Sequence, residues 1–146
     1  MTIKNAIAGL AAGISLVAGP TALADDKVQF QITLNGVQTG HAPLYVSVQD
    51  AGKFRTESGN AGVILRSQEQ SNLSVDLAVE PGQYAVSIWH DLDEDGQFSM
   101  GANYIPTDGW GASGNPPEDR APSFDEMMVE ILQEGQIIVI DMEYPG

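Results

Sequence analysis

The chain has no cysteine among its 146 residues. Disulfide staples, thiolate metal ligands and a cysteine nucleophile are therefore excluded. Histidine is nearly as scarce: His41 and His90 are the only two, and they stand far apart. That pair is a poor ligand set for a transition metal. Basic residues number 6 against 20 acidic ones, for a formal net charge of −14. Nucleic acid and anionic membrane would both repel such a chain, so neither is expected as a partner. No stretch beyond the N-terminal region reaches the roughly 20 apolar residues of a transmembrane helix.

The N-terminal region has a recognisable purpose. Lys4 is followed by a small-residue apolar run, Ala6 to Ala18, too short to span a bilayer. Ala22-Leu23-Ala24 forms an A-x-A cleavage site ahead of Asp25-Asp26. Residues 1–24 are therefore expected to be a cleaved signal peptide, with periplasmic or secreted destination. Removing 24 of the 146 residues leaves 122, read as one domain over 25–146. Loss of Lys4 leaves 5 basic against 20 acidic residues, a net charge of −15. No cysteine follows the apolar run, so lipid attachment of the lipoprotein kind is not expected.

Alternation of period two dominates the chain from Val28 onward. Val28, Phe30, Ile32 and Leu34 alternate with polar residues, and so do Leu44, Val46 and Val48. Leu73, Val75, Leu77 and Val79 do the same, as do Tyr84, Val86 and Ile88. Val63 to Arg66 reads as a short strand. Pro81-Gly82 reads as a tight turn joining 73–79 and 83–90 into a hairpin. Met128 to Leu132 and Gln136 to Glu143 read as a closing hairpin around Glu134-Gly135. Ser123 is placed to cap a helical turn through Met127. About seven short strands predict an all-β fold, a single antiparallel β-sandwich, with a small barrel as the competing architecture. Asp91 to Pro122 is rich in glycine and proline and reads as one long loop. A loop of that length in a small domain is usually functional or held by a ligand.

That loop begins with Asp91-Leu92-Asp93-Glu94-Asp95-Gly96, four carboxylates in five residues. The D-x-D-x-D-G spacing is that of a calcium loop, with glycine permitting the sharp bend. Without a cation each close pair of charges costs about 1 kcal/mol even in water-like dielectric. Asp91, Asp93 and Asp95 occupy ligand positions 1, 3 and 5. Gln97, at position 7, would offer its main-chain carbonyl. Ser99, at position 9, is a further candidate ligand. Position 12 should be a bidentate glutamate but is Ala102, and a strand rather than a helix precedes the loop, so this is not an EF-hand. The missing acid is expected from Asp108. A hard-oxygen set suits Ca2+ as the cofactor better than magnesium, with an affinity on the order of 10⁻⁴ to 10⁻³ M. The competing reading is a solvated acidic turn without a specific ion.

Three ordered segments accompany this loop. Glu80-Pro81-Gly82-Gln83-Tyr84-Ala85-Val86 is similar to a "PGxYAV" run, and His90 to Gly96 is similar to "HDxNxNG". Ile105 to Gly111 resembles "IPxEGYG", and Ala121 to Asp125 carries the "PxF" of the same pattern. Together they resemble the bacterial domain-of-unknown-function family 2141. The resemblance implies a small exported β-sandwich, in the style of transthyretin-like and carboxypeptidase-regulatory-like domains, and supplies no activity. Against the family pattern, Asp93 and Asp95 replace asparagines, Asp108 replaces glutamate, and Ser99 stands where an acid is common.

Two functions compete on these residues. The first is a non-enzymatic, calcium-stabilised module of the cell envelope, its partner an envelope protein or a carbohydrate. Tyr104 and Trp110 flank Asp108 and are the candidate partner surface, either as a platform for sugar or peptide or simply packed on the core. The second is a glycosidase-like hydrolase using the loop carboxylates. Gly111-Ala112-Ser113-Gly114-Asn115 lacks the last glycine of a nucleophile elbow, so no catalytic residue is assigned. His90 is read either as an acid/base or second-sphere group, or as a hydrogen-bonded residue that positions the loop.

Overall fold

A computed structural model describes residues 26–98, 100–101 and 106–145. The leader read over 1–24, Ser99 and Tyr104 lie outside the described residues. Among these residues, eight strands and one helical turn succeed one another in order: β1 Val28–Asn35, β2 Leu44–Gln49, β3 Ala61–Leu65, β4 Leu73–Val79, β5 Gly82–His90, β6 Gly109–Ala112, α1 Phe124–Met127, β7 Met128–Ile131 and β8 Gln136–Asp141. They form a three-stranded sheet, β4-β1-β8, and a five-stranded sheet, β3-β2-β5-β6, in which β7 also pairs with β5. The two sheets pack as a sandwich, not a closed barrel.

The alternation in the sequence becomes the alternation of burial. In β1, Phe30, Ile32 and Leu34 are buried, while Gln29, Gln31 and Thr33 between them are not. Ile138 and Ile140 of β8 extend this face, and Leu44, Val46 and Val48 of β2 with Val86 and Ile88 of β5 meet it from the other sheet. Each such aliphatic side chain stabilises the fold by about 1.5–3 kcal/mol when fully withdrawn from water.

Neither expected hairpin forms. β4 pairs with β1, whereas β5 pairs with β2, so Pro81 and Gly82 carry the chain from one sheet to the other. A tight hairpin needs a residue at positive φ. Proline is locked at negative φ, and Gly82 is not among the positive-φ glycines. The Tyr84 hydroxyl instead donates to the Glu80 carbonyl at 2.6 Å and fastens this corner. Likewise β7 joins β5 while β8 joins β1, and the β1–β8 ladder is parallel rather than antiparallel. Gly135, at φ +80°, makes a crossing and donates its N–H to the Gln29 carbonyl.

The long loop also contains a strand. β6 pairs with β5 over Ser87 to His90, and β7 pairs with the other half of β5 over Gly82 to Ala85. Between them Ser113 occupies the gap: its Oγ accepts the Val86 N–H at 2.8 Å and donates to the Met127 carbonyl at 2.6 Å. The helical turn α1 starts as expected. Ser123 is its N-cap, and Glu126 completes a capping box.

Candidate metal centre

Strand pairing brings the two ends of the long loop together. The last β5–β6 pair is His90 opposite Gly109. One residue further, Asp91 leaves β5 and Asp108 enters β6, side by side. Both carboxylates are withdrawn from solvent, at 1% and 2% exposure. Asp91 is anchored by its own N–H, which donates to the Pro43 carbonyl at 2.9 Å.

The acidic bend closes around Asp91. Glu94, at φ +56°, and Gly96, at φ +75°, turn the chain back through the left-handed region. Asp91 Oδ2 accepts the Gly96 N–H at 2.9 Å, and Asp91 Oδ1 accepts the Asp95 N–H at 3.3 Å. The Gln97 N–H donates to Asp95 Oδ1 at 2.9 Å. Asp108 is held from two sides: Trp89 Nε1–H donates to Oδ2 at 2.9 Å, and the Leu92 N–H donates to Oδ1 at 3.2 Å. The far end of the loop is thereby tied to its first turn.

One oxygen each from Asp91, Asp93, Asp95 and Asp108 lies within 4.8 Å of all the others. The sequence-predicted quartet is thus gathered at one place. Asp93 and Asp95 are on the exposed side and Asp91 and Asp108 on the buried side. The crowding marks the two exposed aspartates. Partial desolvation, then hydrogen bonds to Asp91 and Asp95, raise the Asp93 carboxyl above its ordinary range. The Gln97 N–H lowers Asp95, chiefly by bonding its charged form. Four oxygens so placed can hold one metal ion. Of the other predicted residues, Gln97 lies in the bend, and Ser99 is outside the described residues.

The aromatic surface differs from the expected loop platform. Trp110 lies within β6, half-buried and in register with Trp89. Trp89 in turn stacks on Tyr45, with centroids 4.6 Å apart, and receives the edge of Phe98. The aromatic row thus runs across the sheet. Tyr104, the other half of the expected platform, is outside the described residues.

His90 is buried and doubly bonded. Its Nε2 faces Gln68 Oε1 at 3.1 Å, and its Nδ1 faces the Tyr144 hydroxyl at 2.8 Å. Desolvation lowers its pKa, opposed by a bond to the Ala42 backbone and by Asp108 and Asp91. Both ring nitrogens are engaged, as a residue that positions the loop requires. Trp89, Gln68 and Tyr144 were not legible as partners of this centre, because their roles arise from strand pairing between distant segments.

No curated protein and no solved structure matches the chain. A family model described as "Uncharacterized protein conserved in bacteria (DUF2141)" matches residues 32–139, which include every strand from β2 to β7 and all four clustered aspartates. With most of its length matched in this way, the chain belongs to the DUF2141 family of bacterial proteins.

Proposed function

We propose that this is an exported, non-enzymatic β-sandwich module in which a single calcium ion fastens the Asp91–Asp108 loop to the end of the sandwich. The observation that carries this reading is the four-oxygen cluster with a span of up to 4.8 Å. Calcium–oxygen bonds of 2.3–2.6 Å allow opposed ligands to stand about 4.6–5.2 Å apart. Magnesium bonds of 2.0–2.1 Å allow only about 4.0–4.2 Å, so the larger ion tolerates the full range of spacings up to that span and magnesium only its shorter part. The Gln97 main-chain carbonyl is assigned as a further ligand, with Ser99 a candidate one, directly or through water, and water completing the shell. Two nearly sealed carboxylates, Asp91 and Asp108, gain most from a counter-charge, because their attraction to a cation is least screened.

Export rests on the Lys4 start, the short apolar run and the A-x-A site. Among the described residues no helix is long and apolar enough to cross a membrane. A glycosidase needs its two carboxylates about 5–9.5 Å apart, with a sugar bond between them. The aspartates are closer than that and suit one shared ion better. Ser113 is no better placed for nucleophilic work, because its hydroxyl donates to the Met127 carbonyl.

Titration calorimetry with calcium, magnesium and chelator tests the proposal. One calcium site with Kd on the order of 10⁻⁴ to 10⁻³ M, and weaker magnesium binding, is the expected result. Absence of heat at millimolar calcium would overturn it.

A further inference from the structure

The C-terminal segment pairs with β6, the strand that follows Asp108. Trp110 and Glu143 exchange both backbone hydrogen bonds, at 2.9 and 2.7 Å, and Met142 N–H donates to the Asn35 carbonyl at 2.9 Å. The next residue, Tyr144, covers Gly109 so closely that a Cβ there would stand 2.3 Å from the ring. The same ring meets His90 edge-on, with centroids 5.7 Å apart. One aromatic side chain therefore bears on both members of the last β5–β6 pair, the residues adjacent to Asp91 and Asp108.

The hydroxyl of that ring closes a directional chain. Gln68 Nε2 donates to the Leu65 carbonyl at 3.0 Å, which turns Gln68 Oε1 toward His90. An amide oxygen only accepts, so His90 Nε2 carries a proton, and in the neutral ring Nδ1 is the acceptor. Tyr144 then donates its O–H to Nδ1 and accepts the Gln38 N–H at 2.9 Å. The Tyr144 hydroxyl thus donates to one partner and accepts from another.

We propose that Tyr144 is a positioning residue for the Asp91–Asp108 carboxylate pair, so that the C-terminal segment sets the cation affinity of the loop. The affinity part of this inference rests on the calcium reading above. The positioning part stands on the contacts to His90 and Gly109.

Tyr144→Phe keeps the ring over Gly109 and removes only the hydroxyl. Three quantities are read on the whole chain: calcium Kd by calorimetry, exchange of the Leu92 amide in chelator, and exchange of the Ile32 and Val46 amides. The Leu92 amide reports on Asp108 without any ion, because it donates to Asp108 Oδ1. Loss of one hydrogen bond predicts a calcium Kd weakened by about 3- to 10-fold. Leu92 exchange should accelerate by a similar factor, about 3- to 10-fold, with Ile32 and Val46, which open with the whole domain, accelerated by no more than that. Tyr144→Ala should weaken calcium binding further than Tyr144→Phe. A role in general stability alone would accelerate Ile32 and Val46 while leaving Leu92 exchange and Kd within twofold, and that result overturns the proposal. So does Tyr144→Phe with both Kd and Leu92 exchange unaltered. If the unmodified chain bound no calcium while Leu92 still responded to Tyr144→Phe, the calcium reading would fall and the positioning role would stand.

Discussion

Replacing Asp108 by asparagine should uncouple the loop from calcium without dissolving the sandwich. In the unmodified chain, a site with Kd of about 10⁻⁴ to 10⁻³ M in 10 mM calcium contributes about 1.4–2.7 kcal/mol of stability by mass action. For a domain of this length that is a rise in Tm of about 5–11 °C. Asp108→Asn removes one of the two buried carboxylates of the cluster. A tenfold weaker site leaves about 0.4–1.4 kcal/mol at the same calcium concentration, or about 2–6 °C. In chelator the two consequences oppose each other. Asparagine cannot accept from both the Trp89 indole and the Leu92 N–H as a carboxylate does, a loss of about 1.5–3 kcal/mol. It also ends the repulsion with Asp91 less than 4.8 Å away, a gain of about 1–3.5 kcal/mol for effective dielectrics of 80 to 20. The chelator stability should therefore shift by at most about 2 kcal/mol in either direction, and the calcium-dependent gain is read as the difference between the two conditions. Differential scanning calorimetry in calcium and in chelator measures both, with Asp76→Asn on β4 as a control that retains the full gain. An Asp108→Asn protein that gains as much from calcium as the unmodified chain would refute the reasoning.

Further predictions address the frame of the site. Ser113→Ala orphans the Val86 N–H between β6 and β7 and should lower stability by about 1–3 kcal/mol in urea melts. Gly109→Ala forces the Tyr144 ring aside and should cost about 1–3 kcal/mol, with weaker calcium binding in parallel by calorimetry. Glu126 is held at a pKa of about 2, chiefly by the Arg120 guanidinium, with the Ser123 N–H assisting. A carboxylate depressed in the folded state stabilises at pH above its unfolded value and loses that effect as pH falls through the folded value. The Tm advantage of the unmodified chain over Glu126→Gln should therefore be full at neutral pH and fade between about pH 4.5 and pH 2.

The strands and the acidic centre were legible in the sequence for different reasons. Alternation at Phe30, Ile32 and Leu34 follows from one buried face, a local consequence of strand geometry. The aspartate spacing follows from the short reach of carboxylates around one point, and Asp108 could be added because only a returning loop could supply the missing acid. Strand partners were not legible in this way. β4 and β5 each bury one face whether they pair with each other or lie in opposite sheets, so alternation at Val79 and Tyr84 does not distinguish the two. The turn residues carried more information than their types suggested. Proline followed by glycine permits a hairpin, but only a positive φ at the glycine makes one, and here the chain crosses between sheets. β6 was hidden because Gly109 and Gly111 read as loop residues. They are glycines in a strand because Tyr144, Ile140 and Met142 occupy the space their side chains would fill. That close approach comes from the C-terminal segment and leaves no local mark on residues 109–112.

Crystals of the protein grown or soaked in calcium, with anomalous diffraction collected at long wavelength, test the central claim most directly. A single anomalous peak should stand about 2.3–2.6 Å from oxygens of Asp91, Asp93, Asp95 and Asp108, with the Gln97 carbonyl in its shell. A calcium-saturated crystal with no peak there, or with the peak on other residues and Asp108 bonded only to Trp89 and Leu92, would contradict the account.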